Sequence, residues 1–475
     1  MRQAMQTDKT QLTHSVTRRL ADYVARLEES NVSPAVFAKA RVFFADGFAC
    51  LAGGMTREPS RIAAGWISAQ GNAGEASVLG FAHLRAGAAD AAFVNGISAH
   101  YLDYDDVSYS SNAHVSAVLV PVVLAVGEAV RASGAKVLIA YVAGVETVGL
   151  LGRLLGDEAF KKGWHTTSVL GVFGAAAAAG KLLGLSAAQL TNALGLAASE
   201  ASGIKGNFGS MAKAFHVGSA AYKGIRCAQL ARLGMDANAD IIEAKCGLAE
   251  LLVSAPRYDA FEKAIAQGAS EFLSPGLVMK PYPTCKAGHN GIAATLALVR
   301  EHDLKPEEIE HVEVRVQAYA PDTLRYRVAR TALEGRFSMN YCVALAILRR
   351  GLRLTDFEDG APIGPDVVAM MERIDMVVDE ALSGGMLFNP RGDTQVRITA
   401  RGGHIYARRE NYAPGDPDRP MTEAERAAKI DECLRIGLKP ERVPEIAGFL
   451  ERIDALADIR LLTDGFMRGL AGANG

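Results

Sequence analysis

Apolar positions in the first half of the chain recur every three to four residues, and Ala and Gly fill many of them. That spacing predicts amphipathic helices whose small faces let neighbours approach closely. In "NVSPAVFAKARVFFADGFACLAGG", Ser33 stands as an N-cap, Pro34 takes the first helical position, and Gly53-Gly54 mark the stop. In "LGLSAAQLTNALGLAASEASG", Gly184 ends one helix and a Ser186-x-x-Gln189 capping box opens the next. "HVGSAAYKGIRCAQLARLGMD" predicts a further helix that ends near Gly234. No glycine pattern or strand alternation in this half suggests a dinucleotide fold.

After about Leu273 the period changes. "HVEVRVQAY", His311 to Tyr319, alternates apolar and polar positions like a half-buried strand. "IDMVVDE" and "TQVRITARGGHIYARRE" predict three more strands, the last two joined at Gly402-Gly403 as a hairpin. "FSMNYCVALAILRRGL" reads as a helix between them. From Thr422 onward, "TEAERAAKIDECLRIGL" and "VPEIAGFLERIDALADI" each predict a helix, and "ENYAPGDPDRPM" is the loop that leads back to them. The expectation is a mainly α fold. An all-helical domain, residues 1–272 plus 412–475, is interrupted by a smaller α+β domain at 273–411.

Composition narrows the function classes. The chain has 475 residues, 49% of them apolar, and a formal net charge of −2. A dedicated nucleic-acid binder would show a basic excess, so that class is set aside. No apolar run looks long enough to span a bilayer, and the first residues, "MRQAMQTDKTQLTHS", lack the apolar core of a secretory leader. Six scattered cysteines have no paired spacing and read as reduced thiols, which makes a cytoplasmic location the expectation. The same scatter gives no iron–sulfur or zinc pattern. "GAAAAAGK" resembles a phosphate loop, but its glycines are one residue too far apart and Leu182 follows Lys181.

Four short segments carry the candidate chemistry. "SAHYLDYDDVSYSSNAHVSA" supplies His100, Asp103, Asp105, Asp106 and His114 just before a helix starting near Val115. "KKGWHTTSVLGVFGAAAAAGK" puts His165, Thr166, Thr167 and Ser168 at the head of a small-residue helix. "GNFGSMAKAFHVGSAA" sets Lys213 and His216 three apart, on one face if the turn is helical. "KPYPTCKAGHNGIAA" brings Lys280, Cys285, Lys286 and His289 to a helix starting near Ala287. Singly, each has a commonplace explanation: a capping histidine, a solvated lysine, a small buried cysteine. Asp105 and Asp106 are read equally well as caps. Together, each segment sets polar groups beside a helix start, where free N–H groups favour an anion. With the lysines, that suits a carboxylate-rich small molecule, and a His/Asp/Lys set offers acid and base groups near neutral pH.

In order and spacing, "LDYDD", "AHVSAVLVPV", "GWHTTSVLGVFGAAAAAGKLLGL", "KAFHVGSAA", "KPYPTCKAGH" and "RFSMNYCVA" resemble the MmgE/PrpD family over roughly Thr17 to Leu462. Its members include 2-methylcitrate dehydratase, cis-aconitate decarboxylase and iminodisuccinate epimerase. The resemblance implies a helical domain plus a smaller α+β domain, and a homodimer. It places Asp103, His114, His165, Lys213 and His289 in the interdomain cleft as catalytic groups. Thr166, Thr167, Ser168, His216, Cys285 and Lys286 would bind substrate, and the family's lyases need no metal or organic cofactor. A di- or tricarboxylate substrate is implied, with proton transfer next to a carboxylate. Expulsion of a β-hydroxyl makes a dehydratase, loss of carbon dioxide a decarboxylase, and reprotonation on the other face an epimerase. Dehydration ranks ahead of decarboxylation, with epimerisation the alternative and a non-catalytic carboxylate binder the remote one. The loop "DVSYSSNAHVS" is more like the decarboxylase and epimerase branches, which weakens the specific methylcitrate assignment.

Overall fold

A computed structural model describes residues 15–71, 73–268, 270–383 and 393–470. The reading of the first residues as lacking a leader falls outside this range. Helices build the larger body around a core that runs from Val16 to Met279 and resumes from Met421 to Leu470. A second core, from Ile292 to Ile398, belongs to the smaller α+β body. The chain therefore leaves the helical body, forms the second layer, and returns.

The small-residue helix Thr166–Leu182 lies at the centre of the larger body, with Ala175 to Ala179 wholly buried. It packs between Gly134–Leu155, Val115–Val130 and Ala212–Arg232. Its glycines explain the close approach. A Cβ on Gly174 would stand 3.0 Å from the carbonyl oxygen of Gly144 on the neighbouring helix. Likewise Ala88–Tyr101 crosses Ala212–Arg232 where a Cβ on Gly96 would be 2.9 Å from Gly218 Cα. A central helix clothed in methyls is held in place by several neighbours at once, which suits an element whose first residue must be positioned accurately.

The smaller body is a four-stranded sheet in the order Ile374–Val378, Ile309–Val316, Thr394–Ala400, Ile405–Glu410. The first pair is parallel and the other two are antiparallel. Helices His289–Glu301 and Met339–Arg349 pack on it. Val312, Val314, Val316, Val396 and Ile398 point into this core, as the alternation predicts.

Most predicted boundaries hold. Ser33 accepts from Val36 N at the head of Pro34–Gly54, and the Ser186/Gln189 capping box is formed. Four expectations need correction. The helix expected from His216 starts at Ala212, because nothing between Ala212 and Phe215 breaks it. The strand expected over 311–319 covers Ile309–Val316 and ends in a turn. The single helix expected over 443–459 is Val443–Glu451 followed by a 3₁₀ turn at Ile453–Ala455. Finally, Gly134–Leu155 has 22 residues and is long and apolar enough to cross a membrane by composition. Of its most apolar 18-residue stretch, 94% is buried inside the protein, so its apolarity serves the core.

Gly224 tests the close-packing account. A Cβ there would overlap Ala175 Cβ and lie 2.8 Å from Ala176 N, both in the central helix. Gly224→Ala should therefore destabilise the protein by about 1–3 kcal/mol in denaturant unfolding, although Ala is the better helix former.

Candidate active site

The site is assembled at the ends of helices. Ala88–Tyr101 ends with Leu102, and Asp103 then adopts φ 51°, a left-handed conformation that helix ends usually give to glycine. An aspartate there costs roughly 1 kcal/mol or more. What it gains is a buried carboxylate aimed at two ammonium groups. Lys213 Nζ and Lys280 Nζ each lie 2.8 Å from Asp103 Oδ1, and Lys280 also donates to the Asp103 carbonyl at 2.9 Å. Burial opposes charge on Asp103, but the two lysines outweigh it and hold the carboxyl well below the usual range. Lys213 comes from the first turn of Ala212–Arg232, and Lys280 from the strand-like approach to the α+β body. Lys213 Nζ also sits 5.3 Å and 5.2 Å from the ring centroids of Phe208 and Phe337, one from each body.

Behind Asp103 lies a histidine–aspartate layer. His100 Nδ1 is 2.7 Å from Asp105 Oδ2, and His114 Nδ1 is 3.3 Å from the same oxygen. Burial drives the His100 pKa down to about 3, so a neutral imidazole donates to an ionised Asp105. Burial and the neighbouring Lys280 lower His114 as well. Asp106 is the true cap of the next helix. It accepts from Ser116 N at 3.0 Å and from Ser116 Oγ, which also contacts Tyr141 OH. His114, the residue before Val115–Val130, makes no side-chain cap bond and keeps Nε2 3.9 Å from Asp103 Oδ1.

His165 occupies the N-cap position of the central helix but does not cap it. The segment is pinned from outside: His165 N donates to Gly203 O, and Lys205 N to Gly163 O. His165 Nδ1 is 3.1 Å from His216 Nδ1, while its buried Nε2 has no partner in the protein. Burial, with His100 and Lys213 nearby, keeps the ring neutral by pushing its pKa well down. The row of hydroxyls after it works differently from the expected carboxylate cradle. Thr166 Oγ1 donates to Asn112 O, Thr167 Oγ1 accepts from His114 N, and Ser168 Oγ donates to His216 O. They tie the His114 and His216 segments to the head of the helix.

A cavity of about 80 Å³ opens in front of these groups. Asp103, His114, His165, Thr167, Lys213, Cys285 and Lys286 line it, together with Tyr109, Phe208, Tyr319 and Phe337. Residues from all four sequence segments therefore converge on one space. Four predicted residues do not reach its wall. Thr166 and Ser168 use their hydroxyls as above, and His216 stands behind His165. His289 is also absent from the lining. It is fully buried, with Nε2 3.1 Å from Thr284 O and its ring against Tyr282, and so supports the turn carrying Cys285 and Lys286. Burial raises the Cys285 thiol, which makes it a neutral wall, and lowers Lys286. Lys286 has no ion pair among the described residues and lies 6.0 Å from the Tyr109 ring. His100, Asp103, Asp105 and His114 present four donors within 4.8 Å of one another. Two ammonium groups already on Asp103 Oδ1 disfavour a dication there.

The sequence reading passed over the role of Lys280, which carried the same lysine signal as Lys286 but lay before two prolines. It also missed the aromatic walls Phe208 and Phe337, which have no pattern distinguishing them from core residues.

The helical body with an inserted α+β body, and this convergent His/Asp/Lys cavity, go with a known family. The MmgE/PrpD N-terminal domain matches residues 18–260, and the MmgE/PrpD C-terminal domain matches residues 282–451. The chain belongs to the MmgE/PrpD family. It is 24% identical over 463 residues to cis-aconitate decarboxylase from Homo sapiens, covering 94% of each chain. It is 27% identical over 391 residues to the enzyme of that name from Mus musculus, covering 78% of this chain and 77% of the relative. Against cis-aconitate decarboxylase from Aspergillus terreus it is 24% identical over 369 residues, covering 72% and 74%.

Asp106 gives a test of how this site is built. Burial raises its carboxyl to about 7, from an ordinary value of 3.8. A raised carboxyl favours folding most at low pH, and that contribution is lost as pH climbs from about 4 to about 7. Asp106→Asn lacks this titration. The melting temperature of Asp106→Asn relative to the parent should rise between pH 4.5 and 7.5 and then level off. A difference that does not change with pH contradicts the assignment.

Proposed function

We propose that the protein is a cofactor-independent lyase that decarboxylates a small tricarboxylate, with cis-aconitate the first candidate. The observation that carries this reading is His165 Nε2, a neutral, buried and unpartnered imidazole nitrogen on the wall of a cavity that also presents Lys213 and Lys286. The relatives support decarboxylation over dehydration, which reverses the order favoured by the motifs alone.

The chemistry proceeds without an added redox or electrophilic partner. The lysines hold substrate carboxylates and offset their charge. The bond from carbon to one carboxylate breaks, carbon dioxide leaves, and the electron pair is delocalised onto a neighbouring carboxylate as an enolate-like anion. Lys213, kept in place by Asp103 and flanked by two aromatic rings, stabilises that anion. A proton from His165 Nε2–H then completes the carbon. His114, oriented by Asp105 and by the Thr167 hydroxyl at its backbone, faces the same space as a second polar contact.

Incubation with cis-aconitate, citrate, 2-methylcitrate and related hydroxy- and amino-dicarboxylates in deuterated water, followed by proton NMR, tests the reading. The expected result is carbon dioxide and a product one carbon shorter bearing a single new deuterium. Deuterium entering the substrate's α-carbon, with neither carbon dioxide nor an unsaturated product, would indicate epimerisation and overturn it. On the active substrate, His165→Gln should lower turnover by roughly 10²-fold or more, while thermal unfolding stays close to that of the parent.

A further inference from the structure

His165 is sealed from water on its own account. It is 1% exposed, and among the described residues the only hydrogen-bond partner of its ring is His216. His216 is placed differently. Its Nδ1 faces His165 Nδ1 at 3.1 Å, its Nε2 makes no hydrogen bond among the described residues and is not one of the sealed atoms, and the residue is 7% exposed. Two nitrogens at that distance share one proton, so the tautomers of the two rings are locked together. If His216 donates through Nδ1, His165 accepts there and must carry its own proton on Nε2, the nitrogen facing the cavity. If His165 donates, its Nε2 is a bare base.

We infer that His216 is a proton relay that couples the cavity-facing nitrogen of His165 to solvent. The inference rests on the decarboxylase reading, because the anion left by carbon dioxide must be protonated once per turnover while the ligand fills the cavity. In the step, His165 Nε2–H passes its proton to the substrate carbon. The His216 Nδ1 proton moves to His165 Nδ1, and His216 Nε2 takes one from a solvent or buffer acid. Both imidazoles stay neutral, one solvent proton is consumed, and one C–H bond forms. After product leaves, water in the open cavity returns a proton to His165 Nε2. The relay then runs in reverse and His216 Nε2–H releases its proton outward, so net uptake is one proton per turnover.

The surroundings suit rings that stay neutral. Burial, then Lys213 and Lys223, lower His216, and burial with His100, Lys213, His216 and His114 lowers His165. The pair is fixed mechanically by Ser168, whose Oγ holds the His216 carbonyl at 3.1 Å, and by Gly203. A Cβ at Gly203 would come 2.9 Å from Ser168 Cβ and 3.5 Å from His216 Cγ, and its own φ is 116°. His216 is not itself part of the cavity wall and reaches it only through His165, so it acts as a positioning and relay residue.

The discriminating variant is His216→Gln, whose amide can still donate to His165 Nδ1 but cannot pass a proton on. A purely structural role would leave it near parental activity. The relay predicts a loss of roughly 10²-fold in kcat with KM little changed. It also predicts that His216→Ala is rescued by added imidazoles to an extent that tracks their pKa. In parallel, nitrogen-15 NMR of the ligand-free parent should show the two Nδ1 atoms as one hydrogen-bonded pair, and His216→Gln should fix His165 with its proton on Nε2. A His216→Gln enzyme within about three-fold of the parent, or rescue independent of imidazole pKa, would overturn the relay. So would two histidines that titrate independently in the NMR experiment. Failure of the parent to release carbon dioxide from any tricarboxylate counts against the decarboxylase reading instead, since the NMR measurement needs no turnover.

Discussion

One carboxylate holds the site together. Asp103 Oδ1 receives Lys213 from the helical body and Lys280 from the segment leading into the α+β body, at 2.8 Å each. Without Asp103 two ammonium groups would be buried side by side, and their mutual repulsion would open the join between segments that are far apart in sequence. With it, one lysine can turn toward a substrate while the other anchors the backbone at the end of Ala88–Tyr101. The left-handed backbone at Asp103 is the local cost of placing the carboxylate there.

Around that anchor the protein spends its order on backbone position. Asp106 caps the helix after His114, three hydroxyls tie neighbouring segments to the head of the central helix, and His289 props the Cys285–Lys286 turn. Each of these groups is buried and bonded inside the protein. The cavity wall keeps some groups open: His165 Nε2 and Asp103 Oδ2 have no hydrogen-bond partner among the described residues, and Lys286 has no ion pair there. A site in which most polar groups are occupied and a few are left open limits what can bind to ligands that match those few.

Much of this was legible in the sequence. The capping pairs at Ser33 and Ser186, the alternation in the strand around Val312, and the run of alanines in the central helix report local physics directly. That four polar segments meet was inferred from their shared character, and they do meet. What stayed hidden depends on side-chain direction. Lys213 and His216 lie three apart on one helix, yet one reaches Asp103 and the other His165. Lys280 looked no different from Lys286, and Thr166 to Ser168 looked like a carboxylate cradle because spacing does not reveal that their hydroxyls already have partners. Phe208 and Phe337 carried no signal, since an aromatic that walls a cavity and one that fills a core are the same letter.

The central claim is that a tricarboxylate occupies the space between Lys213, Lys286 and His165. A crystal structure with tricarballylate, a saturated tricarboxylate with no double bond to accept the electrons of a departing carboxylate, tests it most directly. The account predicts one ligand carboxylate within hydrogen-bond distance of Lys213 Nζ, another at Lys286 Nζ, and a ligand carbon facing His165 Nε2. A ligand bound elsewhere, such as the crevice lined by Arg41 and Arg426, with this cavity filled by water, would contradict it.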